Sequence, residues 1–132
     1  MKICVSAVAN SLDAQMDPRF GRCPYFVIVD SETMQFDATP NMASGAMGGA
    51  GIQAAQTIAS RGVKILITGN VGPNAFQALS AAGIKIVTGA SGTVREVVEK
   101  YKRGELKETG APTVRGHFGM GIGRGRGRGQ RQ

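Results

Sequence analysis

The chain's 132 residues, 13.7 kDa, suit one domain and leave too little polypeptide for two with separate cores. Apolar residues at 42% and charged residues at 19% exclude a wholly disordered chain, and with 5% aromatics and no Trp the core must come from Ile, Val, Leu, Ala and Met. The net charge of +7 is uneven: residues 115–132 hold five Arg, seven Gly and no acid, whereas the other 114 residues carry 11 basic against 9 acidic groups, so the tail is the cation.

Ile3, Val5 and Ala7 alternate with Cys4, Ser6 and Val8, which predicts a first strand apolar on both faces and therefore central in a sheet. A long polar loop, Asn10 to Arg22, follows. Tyr25 to Val29 is a second β-rich run, Met34, Phe36 and Ala38 mark a third, and Asp30-Ser31-Glu32-Thr33 between them reads as a hairpin turn. After Pro40 a Gly-rich stretch, Ser44 to Gly51, leads into a helix expected to turn Ile52, Ala55, Ile58 and Ala59 inward and to stop at Gly62. Val63 to Ile67 is a fourth strand. Pro73 opens a second helix carrying Phe76 and Leu79, Gly83 ends it, and Ile84 to Val87 is a fifth strand. Thr93 and Glu96 have capping-box spacing before a third helix with Val94, Val97, Val98 and Tyr101 on one face.

Gly62-Val63-Lys64-Ile65 and Gly83-Ile84-Lys85-Ile86 repeat one helix-to-strand junction, so the second half consists of consecutive parallel βα units. The expected order is βββαβαβα: an α/β domain with a mixed five-stranded sheet and helices on both faces, like the three-layer ribonuclease H fold by analogy of topology. The domain is expected over residues 1–108, with residues 109–132 a flexible Gly/Arg-rich tail.

Much chemistry can be set aside. Cys4 and Cys23 are the only cysteines and His117 the only histidine, which excludes a CxxC site, a Cys-rich zinc site and a His-based triad. Neither a P-loop nor a dinucleotide fingerprint is present, and the first strand lacks the carboxylates of a two-metal nuclease. An Ala7-Val8-Ala9 motif imitates a signal-peptide cleavage site, but the apolar run before it is too short, and no stretch approaches the ~20 apolar residues of a membrane span. The expectation is a non-enzymatic, cytoplasmic chain with no membrane partner.

In that topology four loops, residues 9–23, 39–51, 68–73 and 88–93, leave from the sheet edge where open α/β folds bind ligands. They carry Arg19, Phe20, Gly21, Arg22 and Cys23; Met47, Gly48 and Gly49; Gly69, Asn70 and Gly72; and Gly92. Glycines let backbone N–H groups approach a ligand, three helix N-termini would converge there, and Arg19 and Arg22 add full charges, so the site favours an anion. Cys23 and Met47 offer soft sulfur, with Cys23 the candidate metal ligand of a metal–sulfur species. Each feature has a plainer reading: glycines for tight turns, Cys23 as a small half-buried residue, Met47 as a surface hydrophobe, and Arg19 paired with Asp13 or Asp17. Cys4 reads as core. The Gly-Arg tail offers an alternative function, RNA binding, or a third role in gathering other anions.

Asp17-Pro18-Arg19-Phe20-Gly21-Arg22-Cys23-Pro24-Tyr25-Phe26, Gly48-Gly49-Ala50-Gly51, Thr68 to Ala75 and Gly89 to Val94 occur in order over roughly residues 1–105. Together they resemble the dinitrogenase iron–molybdenum cofactor biosynthesis family. The resemblance implies a ribonuclease H-like fold and the binding, carrying or storage, rather than turnover, of an iron–sulfur or molybdenum–iron–sulfur cluster, with a cofactor-accepting protein as a further partner. It also implies a departure: many members carry His, a candidate cluster ligand, where this chain has Arg19, and a guanidinium cannot coordinate a metal.

Overall fold

In the computed structural model, residues 1–45 and 47–113 are described. Strands β1 (Lys2–Ala7), β2 (Tyr25–Asp30) and β3 (Phe36–Pro40) are followed by α1 (Ala50–Ser60), β4 (Ile65–Ile67), α2 (Pro73–Ala81), β5 (Lys85–Val87) and α3 (Val94–Lys102). One five-stranded sheet runs in the order β3-β2-β1-β4-β5. β1 is central, antiparallel to β2 and parallel to β4, as the two-faced apolar pattern requires.

The two faces have separate cores. Ile3, Val5 and Ala7 of β1 pack with Leu12, Ala14 and Met16 of the following loop and with Val94, Val97 and Val98 of α3. Cys4 and Leu66 face the other way, with Ala54, Ala55 and Ile58 of α1 and Ala75 and Leu79 of α2. The α1/α2 layer lies on one face and α3 on the other.

The two repeated junctions are built alike. Gly62 (φ 79°) and Gly83 (φ 78°) take the left-handed conformation just past α1 and α2. The next amides turn back to the helix, Val63 N to Ile58 O at 3.4 Å and Ile84 N to Leu79 O at 3.0 Å, aiming the chain into β4 and β5.

The structure corrects three local expectations. The hairpin turn extends to Gln35, because Met34 is left-handed (φ 62°) and donates its N–H to Asp30 O at 2.8 Å, so β3 begins at Phe36. In α1, Ala50, Ala54, Ala55 and Ile58 form the buried stripe; Ile52 lies in the first turn on the open side and is 37% exposed. The domain also extends beyond residue 108. Thr109 N donates to Ile86 O at 2.6 Å and Thr109 Oγ1 accepts from Thr88 N at 3.1 Å, so this segment covers the open edge of β5. Thr113 then ties to Val71: its N–H donates to Val71 O at 3.0 Å and its Oγ1 accepts from Val71 N at 2.9 Å. Arg115 to Gln132, on which the RNA-binding alternative rested, lies outside the described residues. Among the described residues no helix is long and apolar enough to cross a membrane.

Candidate functional site

The loop after β1 is fixed before any ligand arrives. Asp17, 2% exposed, accepts both Arg19 Nε (3.0 Å) and Nη2 (2.8 Å), as well as Arg19 N at 2.9 Å. The Arg19 hydrogen bonds hold the Asp17 carboxyl below its ordinary value, against the opposing effect of burial. Buried Ser6 Oγ lies 2.6 Å from Asp17 O and 2.7 Å from Thr68 Oγ1, fastening this loop and the β4–α2 loop to the end of the sheet. Asn70 N donates to Pro18 O at 2.8 Å and Gly89 N to Gly69 O at 2.9 Å, extending the tie through three loops. Buried Asn41 holds the fourth: its Nδ2 donates to Gly21 O at 3.0 Å and Cys23 O at 2.9 Å, and its N–H to Pro24 O at 2.9 Å.

On the α1/α2 side, these ties enclose a cleft of about 400 Å³, within the roughly 300–1,000 Å³ usual for small-ligand sites. Its lining comes from Phe20, Gly21 and Arg22, from Gly49, Ala50, Gly51 and Ile52 at the start of α1, and from Asn70, Gly72, Pro73, Asn74 and Ala75 around the start of α2. Close helix approach makes the floor. A Cβ on Gly51 would stand 2.8 Å from Ala75 Cβ, and one on Gly21 would stand 3.1 Å from Gly51 Cα, so three backbones meet where a side chain would hold them apart.

The first-turn amides define the chemistry. Neither α1 nor α2 has a side-chain cap or an acidic residue in its first turn. Their opening N–H groups, which have no intrahelical acceptor, therefore border a cleft polarised positive by both helix dipoles. Arg22 adds a cation at the lip, its Nη1 donating to Ser44 O at 3.0 Å. The third helix behaves differently. Its start lies on the opposite face, and its amides are satisfied by Ala14 O, Leu12 O and Thr93 Oγ1, the last within a complete capping box. The expected three-helix convergence is therefore a two-helix one.

Of the residues expected at the site, Phe20, Gly21, Arg22, Gly49, Asn70 and Gly72 are brought together. The others are not. Arg19 is paired with Asp17 and stands outside the lining. Met47 and Gly48 are exposed on the loop before α1 and do not line the cleft. Gly69 is pressed against Pro18, and Gly92 makes room for the Glu96 carboxylate of the α3 capping box.

Cys23, the candidate metal ligand, is 0% exposed and packs in the core with Cys4, Phe20 and Phe26. Burial first, then the Asp17 charge, pushes its thiol up to about 12. As placed, its sulfur does not reach the cleft, and thiolate formation is opposed. Burial likewise raises the Cys4 thiol well above its ordinary value. Iodoacetamide at pH 8 is expected to leave both thiols unmodified in the folded protein and to alkylate both in guanidinium, as read by intact mass. Rapid alkylation of native Cys23 would contradict this placement.

Two features escaped the sequence reading. Asn41 had no motif to mark it, since its role depends on a contact 20 residues away. Ala50, Gly51, Pro73, Asn74 and Ala75 lay within quoted motifs and Ile52 directly after one, and the signal for them was position: each is in the first turn of a helix opened by glycine.

Residues 1–104 match the family model described as dinitrogenase iron-molybdenum cofactor. The chain is 43% identical to the orange protein from Desulfovibrio gigas; its apo form matches this fold with a TM-score of 0.84 over 86% of this chain and 96% of that one. A Thermotoga protein assigned as NifB, of the DUF35 family, is 34% identical, with a TM-score of 0.73 over 86% of this chain and 98% of that one. An uncharacterized protein from Methanocaldococcus jannaschii is 29% identical over 112 residues, 82% of this chain and 95% of that one. With four-fifths of its length under the family model, this chain belongs to the dinitrogenase iron-molybdenum cofactor family.

Proposed function

We propose that this chain, a ribonuclease H-like domain by the order of its elements, is a non-enzymatic carrier or store for a preassembled anionic iron–sulfur or molybdenum–iron–sulfur cluster. The observation that carries the reading is the cleft between two uncapped, acid-free helix starts in a chain of this family. Hydrogen-bond donors and a guanidinium suit an anion whose metals already have their sulfur ligands. They do not complete the coordination sphere of a bare metal ion. Among the described residues no three His, Cys, Asp or Glu side chains gather to do so.

The cargo is therefore held by backbone amides of Ala50 to Ile52 and of Asn74 and Ala75, with Arg22 at the lip and Phe20 against its apolar side. Cys23 supports the wall from behind. Holding without a covalent metal–protein bond favours release to a cofactor-accepting protein.

Anaerobic incubation with ferrous iron and sulfide, followed by desalting, visible absorption and metal analysis, tests the reading. Wild type and Cys23→Ala are expected to retain equal metal and sulfide per folded chain, and Arg22→Ala less. Loss with Cys23→Ala alone, at unchanged circular dichroism, would replace the amide cradle by thiolate ligation. No retention by any of them would remove the carrier reading.

A further inference from the structure

Asp17 carries a buried charge that fastening its loop does not require. The backbone already does that: Asp17 N donates to Ser6 O at 2.8 Å and Ser6 Oγ donates to Asp17 O at 2.6 Å. The carboxylate, on a residue 2% exposed, directs all its hydrogen bonds among the described residues to one neighbour: Oδ1 accepts Arg19 N (2.9 Å) and Nε (3.0 Å), and Oδ2 accepts Nη2 (2.8 Å). A pair two residues apart ties no distant segment, and burying a carboxylate is costly, so the arrangement acts on Arg19. Arg19 in turn sits beside the cleft without lining it. Phe20 follows it in the chain and Asn70 is its bridge partner on the neighbouring loop, and both of these line the cleft. At the ordinary spacings along and between extended chains, Arg19 Cα is within about 5 Å of a lining residue's Cα on each side. Its side chain is 63% exposed, so the fork onto Asp17 is what keeps the guanidinium in place.

We infer that Asp17 sets the affinity of the anion site by withholding Arg19 from it: the carboxylate neutralises a guanidinium that would otherwise reach the seated cargo, and leaves Arg22 as the lining cation. This rests on the carrier reading and adds how the cleft is kept from holding too tightly. A free guanidinium at this position would lie within the ~8–10 Å over which charges act at ordinary salt, and its forked donors suit a multiply charged sulfur or oxygen anion. Paired with Asp17 it contributes no net charge there. Asp17 is thus a positioning residue that acts on cargo only through Arg19. Release to an acceptor is favoured because a second cation stands close to the cargo and is engaged elsewhere.

The test uses the full-length chain and tetrathiomolybdate, a preformed molybdenum–sulfur dianion whose visible absorption reports binding. Asp17→Asn keeps the shape, removes the charge and sets an amide N–H2 against Arg19 Nη2, donor to donor. It is expected to bind about fivefold more tightly than wild type at low ionic strength, a gain that shrinks below twofold in 0.5 M NaCl. Adding Arg19→Gln to Asp17→Asn should abolish the gain. In 15N-labelled protein the Arg19 Nε–H signal should move on titration in Asp17→Asn and stay nearly still in wild type, a response that a merely structural role for Asp17 does not produce. Should Asp17→Asn not fold, Arg19→Lys asks the same question, because an ammonium cannot fork onto both carboxylate oxygens; about twofold tighter binding is expected. Equal or weaker binding by the folded single variants, a gain that survives Arg19→Gln, or a gain with the Arg19 signal unmoved would each overturn this inference and leave the carrier reading intact. No binding by wild type or any variant would overturn the carrier reading itself.

Discussion

Gly69→Ala is expected to lower stability by about 3 kcal/mol, at the upper end of the usual overpacking cost. The added methyl would stand 2.5 Å from Pro18 Cβ, 2.7 Å from its Cα and 3.0 Å from its carbonyl oxygen. A proline ring cannot rotate aside, so the loop after β1 must lift away from the β4–α2 loop. Lifting breaks the Asn70–Pro18 and Gly69–Gly89 hydrogen bonds that tie three loops together. In thermal unfolding followed by circular dichroism the midpoint should fall by roughly 10 °C. Gly48→Ala is the control: nothing lies within 4 Å of the place its methyl would take, and its midpoint should match wild type. A Gly69→Ala protein as stable as wild type would contradict the close contact between these loops.

Asn74→Asp is expected to move stability and binding in opposite directions. Asn74 is exposed in the first turn of α2 and lines the cleft. A carboxylate of the same shape interacts favourably with the helix start, adding about 0.3–1 kcal/mol to stability. It also places a negative charge beside the seat proposed for the anion. Two unit charges about 4 Å apart interact by ~4 kcal/mol at an effective dielectric constant near 20, so even strong screening leaves at least about a tenfold loss of tetrathiomolybdate affinity. Misfolding cannot produce a higher melting temperature together with weaker binding. Unchanged affinity in a stabilised Asn74→Asp protein would mean that the anion sits elsewhere.

The elements were legible because each is written in a local pattern. The two-faced apolar run of β1, the Thr93/Glu96 cap and the paired Gly-β-Lys-β junctions are all short-range signals, and the structure follows them. Features set by tertiary contact were harder to read. Met34 adopts a left-handed backbone to finish a turn that Asp30 controls, which no propensity for Met suggests. Thr109 and Thr113 lie in a segment without periodicity, and their hydrogen bonds to Ile86, Thr88 and Val71 help attach it to the domain.

The candidate site divides along the same line. Glycine before a helix marked Gly49 and Gly72, and through them the amides that follow. Whether Cys23 faces the cleft or the core depends on Phe20, Phe26 and Asn41 closing around it, and Phe20 and Phe26 meet with ring centres 5.6 Å apart. Its place beside Arg22 in sequence does not reveal that. The pairing of Arg19 with Asp17 was one of two partners open to it, and burial of the Asp17 carboxylate decides between them, since an unpaired charge there would be costly.

Backbone amides are the proposed ligands, so observing them directly is the sharpest test. Titrating uniformly 15N-labelled, full-length protein with tetrathiomolybdate and following amide chemical shifts reads each N–H separately. The account expects the largest shifts at Gly21, Arg22, Ala50, Gly51, Ile52, Asn74 and Ala75, with the α3 start at Val94 to Glu96 little changed. Shifts centred on Cys4, Cys23 and Asn41, with the helix starts silent, would contradict it.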